Sequence, residues 1–194
     1  MRYIDDIFDK RYLDETVVKL RQTSWYPDNI ANSYTWPYSE KGIHKLLGDV
    51  FFERKSIDVI KYSPTNPDFS LELINVYYAI MRRFNRNLVL QGIYSNLQFM
   101  GMDGTTHRDS SVEDDYAYIW MLGDEEVNNE GGEFVNVTRN ETVPYKYGRV
   151  IEIRALDEHY GKAFTTPFKC RFSFKFLGTD NLFNEDGWIK LTRK

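Results

Sequence analysis

The chain has 194 residues, 42% of them hydrophobic and 28% charged, with a formal charge of −4. That length lets one domain bury a real core, and the balance excludes a disordered chain. The acidic charge argues against a general nucleic-acid binder, and no apolar run reaches the ~18 residues that a membrane span needs. The single cysteine, Cys170, excludes an internal disulfide and a thiolate zinc cage. Residues 1–6 carry acids where a secretory leader would be apolar, so a cytoplasmic protein is expected. The sequons at Asn136 and Asn140 then read as coincidence.

Asp14 can cap a short helix carrying Val17, Val18 and Leu20. Residues 24–40 read as loop. Ile43, Leu46, Leu47, Val50 and Phe51 predict a helix over 41–53. Phe69, Leu73, Val76, Tyr77, Ile80 and Phe84 recur at spacings of three and four after a Pro-rich start. They form the clearest amphipathic helix, which ends at Asn85-Arg86-Asn87. The period then turns strand-like. Strands are expected at 88–94, 117–122, 133–137, 148–154 and 170–177, separated by Gly-, Asn- and Pro-rich turns. No repeat or linker divides the chain. It reads as a single domain over 1–194, with a helical lead-in over 1–86, a β core over 87–178 and a tail over 179–194.

Three histidines occur: His44, His107 and His159. His44, beside Ile43, reads as a partly exposed helix residue. In His107-Arg108-Asp109 an extended backbone points the imidazole and the carboxylate to one side. His159 follows fifty residues after Asp109. Two histidines and one carboxylate are the ligand set of non-haem Fe(II) oxygenases, which keep positions open for a chelating cosubstrate and O₂. The His-Glu-x-x-His pattern of zinc hydrolases is absent. In 171–176, Phe172, Phe174 and Phe176 take one face and Arg171, Ser173 and Lys175 the other. That alternation suits an exposed antiparallel strand. A second reading turns the polar row into a barrel mouth, where Arg171 and Ser173 can hold a carboxylate.

His107-x-Asp109, Gly131-Gly132-Glu133-Phe134, Pro144, Gly148, His159, Pro167 and Arg171-x-Ser173, in this order, resemble the Fe(II)/2-oxoglutarate-dependent dioxygenases. They are most similar to the prolyl 4-hydroxylase-type catalytic domain, over residues 88 to 177. Lys169-Cys170 stands where that family often has a Gly before Arg-x-Ser.

The resemblance implies a mainly β (α+β) fold: a double-stranded β-helix, or jelly roll, cupin-like, with supporting N-terminal helices. It implies that His107, Asp109 and His159 ligate Fe(II) as the catalytic centre. It also implies that Arg171 pairs with the distal carboxylate of 2-oxoglutarate, that Ser173 hydrogen-bonds it, and that Tyr94 contacts the cosubstrate. Asn96 shares the side of Tyr94. The implied reaction consumes O₂ and 2-oxoglutarate, releases succinate and CO₂, and hydroxylates a peptidyl or small-molecule substrate. Loops over 95–106, 110–116 and 124–131 would recognise that substrate. Two rivals stay open, a nucleic-acid demethylase of the same superfamily and a non-catalytic jelly-roll binding module. The demethylases carry a second Arg where this chain has Leu177. Cys170 faces away from Arg171 and reads as core rather than nucleophile. The acids at 124–126 lack the spacing of a calcium loop. Neither the substrate nor the oligomeric state is encoded in any motif.

Overall fold

The computed structural model describes residues 1–26, 46–54, 60–62, 66–124 and 130–180. His44, the loop expected beyond residue 26, Glu125, Glu126 and residues 181–194 of the tail lie outside the described residues. In chain order the elements are β1 (Arg2–Ile4), α1 (Lys10–Arg21), β2 (Leu47–Arg54), β3 (Ile60–Tyr62), α2 (Pro67–Phe84) and β4 (Val89–Gln98). Then come β5 (Asp115–Gly123), β6 (Phe134–Asn136), β7 (Glu141–Val143), β8 (Val150–Arg154), β9 (His159–Gly161) and β10 (Arg171–Thr179).

Helix α1 buries Leu13, Thr16, Val17 and Leu20 along one stripe. Its cap is Asp9, which accepts the Tyr12 N–H at 2.8 Å, and not Asp14. Asp14 lies inside the helix and pairs with Lys10 one turn back. The apolar stripe begins at Leu13, well after the cap, so a start read from the stripe falls too late. Helix α2 follows its expected spacing. Phe69, Leu73, Val76, Tyr77, Ile80 and Phe84 are buried, and Asn85 closes it in the left-handed conformation at φ 53°.

The helix expected over 41–53 is not formed where the chain is described: residues 47–54 are strand β2. The register against β4 explains the mistake. Val50 faces Tyr94 and Phe52 faces Ile93, so Phe51 is an inserted bulge residue. A bulge breaks the two-residue alternation, and Leu47, Val50 and Phe51 then imitate a helical stripe.

The strands form an antiparallel seven-stranded sheet in the order β1-β8-β5-β10-β4-β2-β3 and a three-stranded sheet β7-β6-β9. Strands β4, β5, β6, β8 and β10 fall where the sequence expects them. The first 86 residues, expected as helical, also supply β1, β2 and β3. Strands β7 and β9 have three residues each, too few to show a period.

On one face of the large sheet, Tyr118, Trp120, Phe172, Phe174 and Phe176 pack with both helices in one core. Phe174 meets Phe51, Phe69, Trp120 and Phe176 at ring-centroid distances of 5.6, 6.0, 5.7 and 5.9 Å. The high aromatic content is concentrated there. On the opposite face Ile119, Met121, Ile151 and Leu177 pack with Phe134 and Val143 of the small sheet. Two facing sheets with helices behind the larger one make the expected double-stranded β-helix. No described helix is long and apolar enough to cross a membrane. Asn136 is fully buried and donates to Asp157, which closes that sequon in the folded protein.

Strand β1 is anchored just past its end. Asp5 accepts from Arg149 Nε at 2.7 Å and from Lys146 Nζ at 2.9 Å. The Arg149 guanidinium, helped by Lys146, pulls the Asp5 carboxyl from 3.8 down to about 2, against a rise from burial. A depressed acid stabilises the fold fully above its unfolded value and loses that contribution as pH falls through its folded value. We expect about 2 kcal/mol of stability to disappear between about pH 4 and pH 2. Asp5→Asn should lose that amount at pH 7 and little at pH 2, measured by urea unfolding at both. Equal losses at the two pH values would rule the pair out as the source.

Candidate metal and cosubstrate site

The inner face of β10 is set by alternation: Arg171, Ser173 and Lys175 stand opposite the aromatic row. Register places Gln98, Asn96 and Tyr94 of β4 beside them in the same order. The neighbouring loop comes in from the other side. His107 and His159 exchange backbone hydrogen bonds at 3.0 and 2.8 Å, and the Asp109 N–H donates to Ala155 O at 2.9 Å. These bonds fix the 107–109 segment, and the His107 and Asp109 side chains converge on one point.

His107, Asp109 and His159 offer ligand atoms that all lie within 4.8 Å of one another. Among the described residues this is the one group of three or more such side chains that could hold a metal. His107 Nε2 is 3.5 Å from Asp109 Oδ1, and His159 Nε2 is 3.3 Å from Asp109 Oδ2. The far side of each ring is fixed as well. His107 Nδ1 lies 2.9 Å from Thr105 O and His159 Nδ1 lies 2.7 Å from Asp157 O. A carbonyl can only accept, so each Nδ1 carries a proton, and in the neutral ring each Nε2 presents its lone pair to the carboxylate. Phe134 stacks on His159 with ring centroids 5.2 Å apart.

Burial pushes the His107 imidazolium down, and His159 beside it adds to that, against an opposing pull from Asp109. For Asp109, burial works upward, but the Lys175 ammonium and His159 outweigh it and hold the carboxyl well below the usual range. The result is a buried carboxylate held between two imidazole rings. Asp109 Oδ2 has no hydrogen-bond partner. Two Nε2 atoms and a carboxylate converging in this way could hold a cation, and the donor set fits Fe(II).

Arg171 is 1% exposed. Its Nε donates to Gly132 O at 3.1 Å and its Nη1 to Gln98 Oε1 at 2.5 Å, with Ser173 Oγ 3.4 Å away. Nη2 is buried without a partner. Burial drives this guanidinium down to about 10. A buried cation with a spare donor and only neutral hydrogen-bond partners can receive an anion. Gly161 leaves room for it: a Cβ there would sit 3.2 Å from Arg171 Nη1. Gly132 needs its φ of 78°, and a Cβ there would stand 2.5 Å from the Phe164 ring. The Gly-Gly of the motif thus serves the turn that delivers a carbonyl to Arg171.

Arg171, Ser173, His107 and His159 line one cavity of about 40 Å³, together with Asn96, Gln98, Ile119, Phe134 and Lys175 among others. Tyr94 stands beyond that lining, with its ring 4.8 Å from the Lys175 ammonium. Gln98 and Lys175 carry no assignment in the sequence reading. Alternation from Tyr94 through Asn96 points to Gln98, and the polar row of β10 contains Lys175, but neither period says what the side chain meets. Burial pushes the Cys170 thiol up to about 11, and the partly buried residue packs against the aromatic core, a setting that disfavours a thiolate. Asp124 accepts from Arg21 and from the Cys170 N–H.

No protein-family model matches the chain, and no curated protein matches it. Its structure is similar to that of an oxidoreductase of the 2OG-Fe(II) oxygenase family from Burkholderia pseudomallei. The TM-score is 0.63 at 13% identity, over 89% of this chain and 81% of that one. A prolyl-4-hydroxylase from Pseudomonas putida gives 0.59 at 11% identity, over 92% and 91% of the two chains. HygX from Streptomyces hygroscopicus, with nickel and 2-oxoglutarate bound, gives 0.59 at 9%, over 95% and 88%. The fold is the one that these oxygenases share.

Proposed function

We propose that the protein is an Fe(II)- and 2-oxoglutarate-dependent oxygenase that hydroxylates a peptidyl or small-molecule substrate. One observation carries the reading: two imidazoles, each fixed through Nδ1, face a buried carboxylate and line a cavity together with a buried guanidinium whose Nη2 has no partner. His107, Asp109 and His159 would hold the metal. Arg171 would take the distal carboxylate of 2-oxoglutarate, replacing its neutral contact with Gln98, and Ser173 Oγ lies beside it to add a hydrogen bond. Bound Fe(II) supplies the O₂ chemistry, in which 2-oxoglutarate, O₂ and a substrate C–H become succinate, CO₂ and an alcohol. The chain's own part is binding and orientation. Thr105 O and Asp157 O keep the imidazoles aimed, Arg171 fixes one end of the cosubstrate, and Ile119 and Phe134 keep water from the cavity wall. Solved structures of the same fold with 2-oxoglutarate bound, at low identity, support the cosubstrate.

An anaerobic titration tests this. Fe(II) and then 2-oxoglutarate are added to the purified protein, and the visible charge-transfer band of the chelate is followed. The expected result is a saturable band at one equivalent of metal. Folded protein that yields no band and retains no iron would overturn the reading in favour of a non-catalytic binding module.

A further inference from the structure

Lys175 occupies a costly position. It lies on β10, the strand between β4 and β5, with Tyr94 and Ile119 as its register neighbours. It faces the inner cavity and its side chain is 15% exposed. Lysine ammonium groups ordinarily reach solvent along their flexible stems, and one held inside needs a partner. The partner is Asp109, whose side chain is fully buried: Lys175 Nζ donates to Asp109 Oδ1 at 2.6 Å. The Tyr94 ring lies 4.8 Å from the same ammonium and adds a cation–π contact. The two carboxylate oxygens are therefore unlike. Oδ1 is tied to Lys175, whereas Oδ2 has no hydrogen-bond partner and lies 3.3 Å from His159 Nε2.

We propose that Lys175 is a positioning residue of the metal centre, which ties Asp109 Oδ1 so that the carboxylate ligates through Oδ2 alone. This inference rests on the metal reading given above. One-oxygen ligation matters to that chemistry. A carboxylate free to turn can bind through both oxygens and take a position that the chelating cosubstrate or O₂ requires. A hydrogen bond from a second residue is the ordinary means of fixing such a ligand. The same contact gives Tyr94 a part: it supports the lysine that orients the ligand. Leu177, two residues further along the same face, cannot make this bond, so the role falls to Lys175 by position on the strand.

The test uses Co(II) in place of iron and reads the visible ligand-field bands, which report coordination directly and need no turnover. Wild type, Lys175→Met and Lys175→Arg are compared with metal in excess, and circular dichroism confirms that each is folded. We expect the bands of Lys175→Met to shift in position and intensity as Asp109 turns both oxygens to the metal, and those of Lys175→Arg to return toward wild type. Lys175→Gln, neutral and too short to hold the contact, gives the same reading if the Met variant does not fold. Bands identical in wild type and the neutral variant would overturn the inference and leave the metal site standing. A wild-type protein that shows no Co(II) bands would overturn the metal reading itself.

Discussion

His107→Ala and Asp109→Ala are each expected to abolish iron-dependent conversion of 2-oxoglutarate to succinate. The loss should exceed about 100-fold, the upper end of what removal of an outer partner of a metal ligand costs. The reason is geometric: three donor atoms within 4.8 Å become two, and no other described residue adds a third. The two variants differ in what else they break. His107 is 19% exposed and gives up one bond to Thr105 O. Asp109 is fully buried and neutralises Lys175, so its removal strands a buried ammonium at a cost of about 3–5 kcal/mol. His107→Ala should therefore lose little stability, while Asp109→Ala should fall markedly in stability as well as in activity. Succinate measured by NMR, bound iron by absorption, and urea unfolding separate these effects. Retained turnover in both variants would refute the assignment.

Arg171→Met is expected to lose 2-oxoglutarate binding with almost no change in the stability of the ligand-free protein. Truncating a desolvated charge partner weakens binding by about 2–5 kcal/mol, or more than tenfold in affinity. Two stability terms oppose each other. Burial that drives the guanidinium from 12.5 to about 10 opposes folding by about 3 kcal/mol. Its hydrogen bonds to Gly132 O and Gln98 Oε1 return about 1.5 kcal/mol each. Without ligand, the two proteins should melt within a few degrees of each other. With 2-oxoglutarate and metal, the wild type alone should gain a concentration-dependent rise in Tm. A large destabilisation of ligand-free Arg171→Met would make the residue a structural prop, and an unchanged cosubstrate affinity would mean that another cation binds the carboxylate.

Much of this protein is legible locally. The 3.6-residue spacing from Phe69 to Phe84 fixes α2, and the aromatic alternation of β10 fixes which face carries Arg171, Ser173 and Lys175. His107 and Asp109 share a side because period two is a property of any extended backbone. Where a local signal was interrupted, the reading failed. The Phe51 bulge turned a strand into an apparent helix, and the gap between Asp9 and Leu13 moved a cap. Strands β7 and β9, three residues each, were not expected.

Partners across the sheet are another matter. That His159 arrives opposite His107, that Gln98 stands against Arg171, and that Lys175 finds Asp109 66 residues away in the chain depend on register and loop closure. Register is set by the whole inner core packing at once, since a one-residue slip would turn Arg171 and Lys175 out of the cavity and bring the phenylalanines in. The sequence by itself, through its motifs and their resemblance, determined the fold class, the candidate ligand residues and the face on which Arg171, Ser173 and Lys175 stand. Only the tertiary structure decided which side chains meet, because those distances come from cross-strand pairing between segments that carry no local trace of one another.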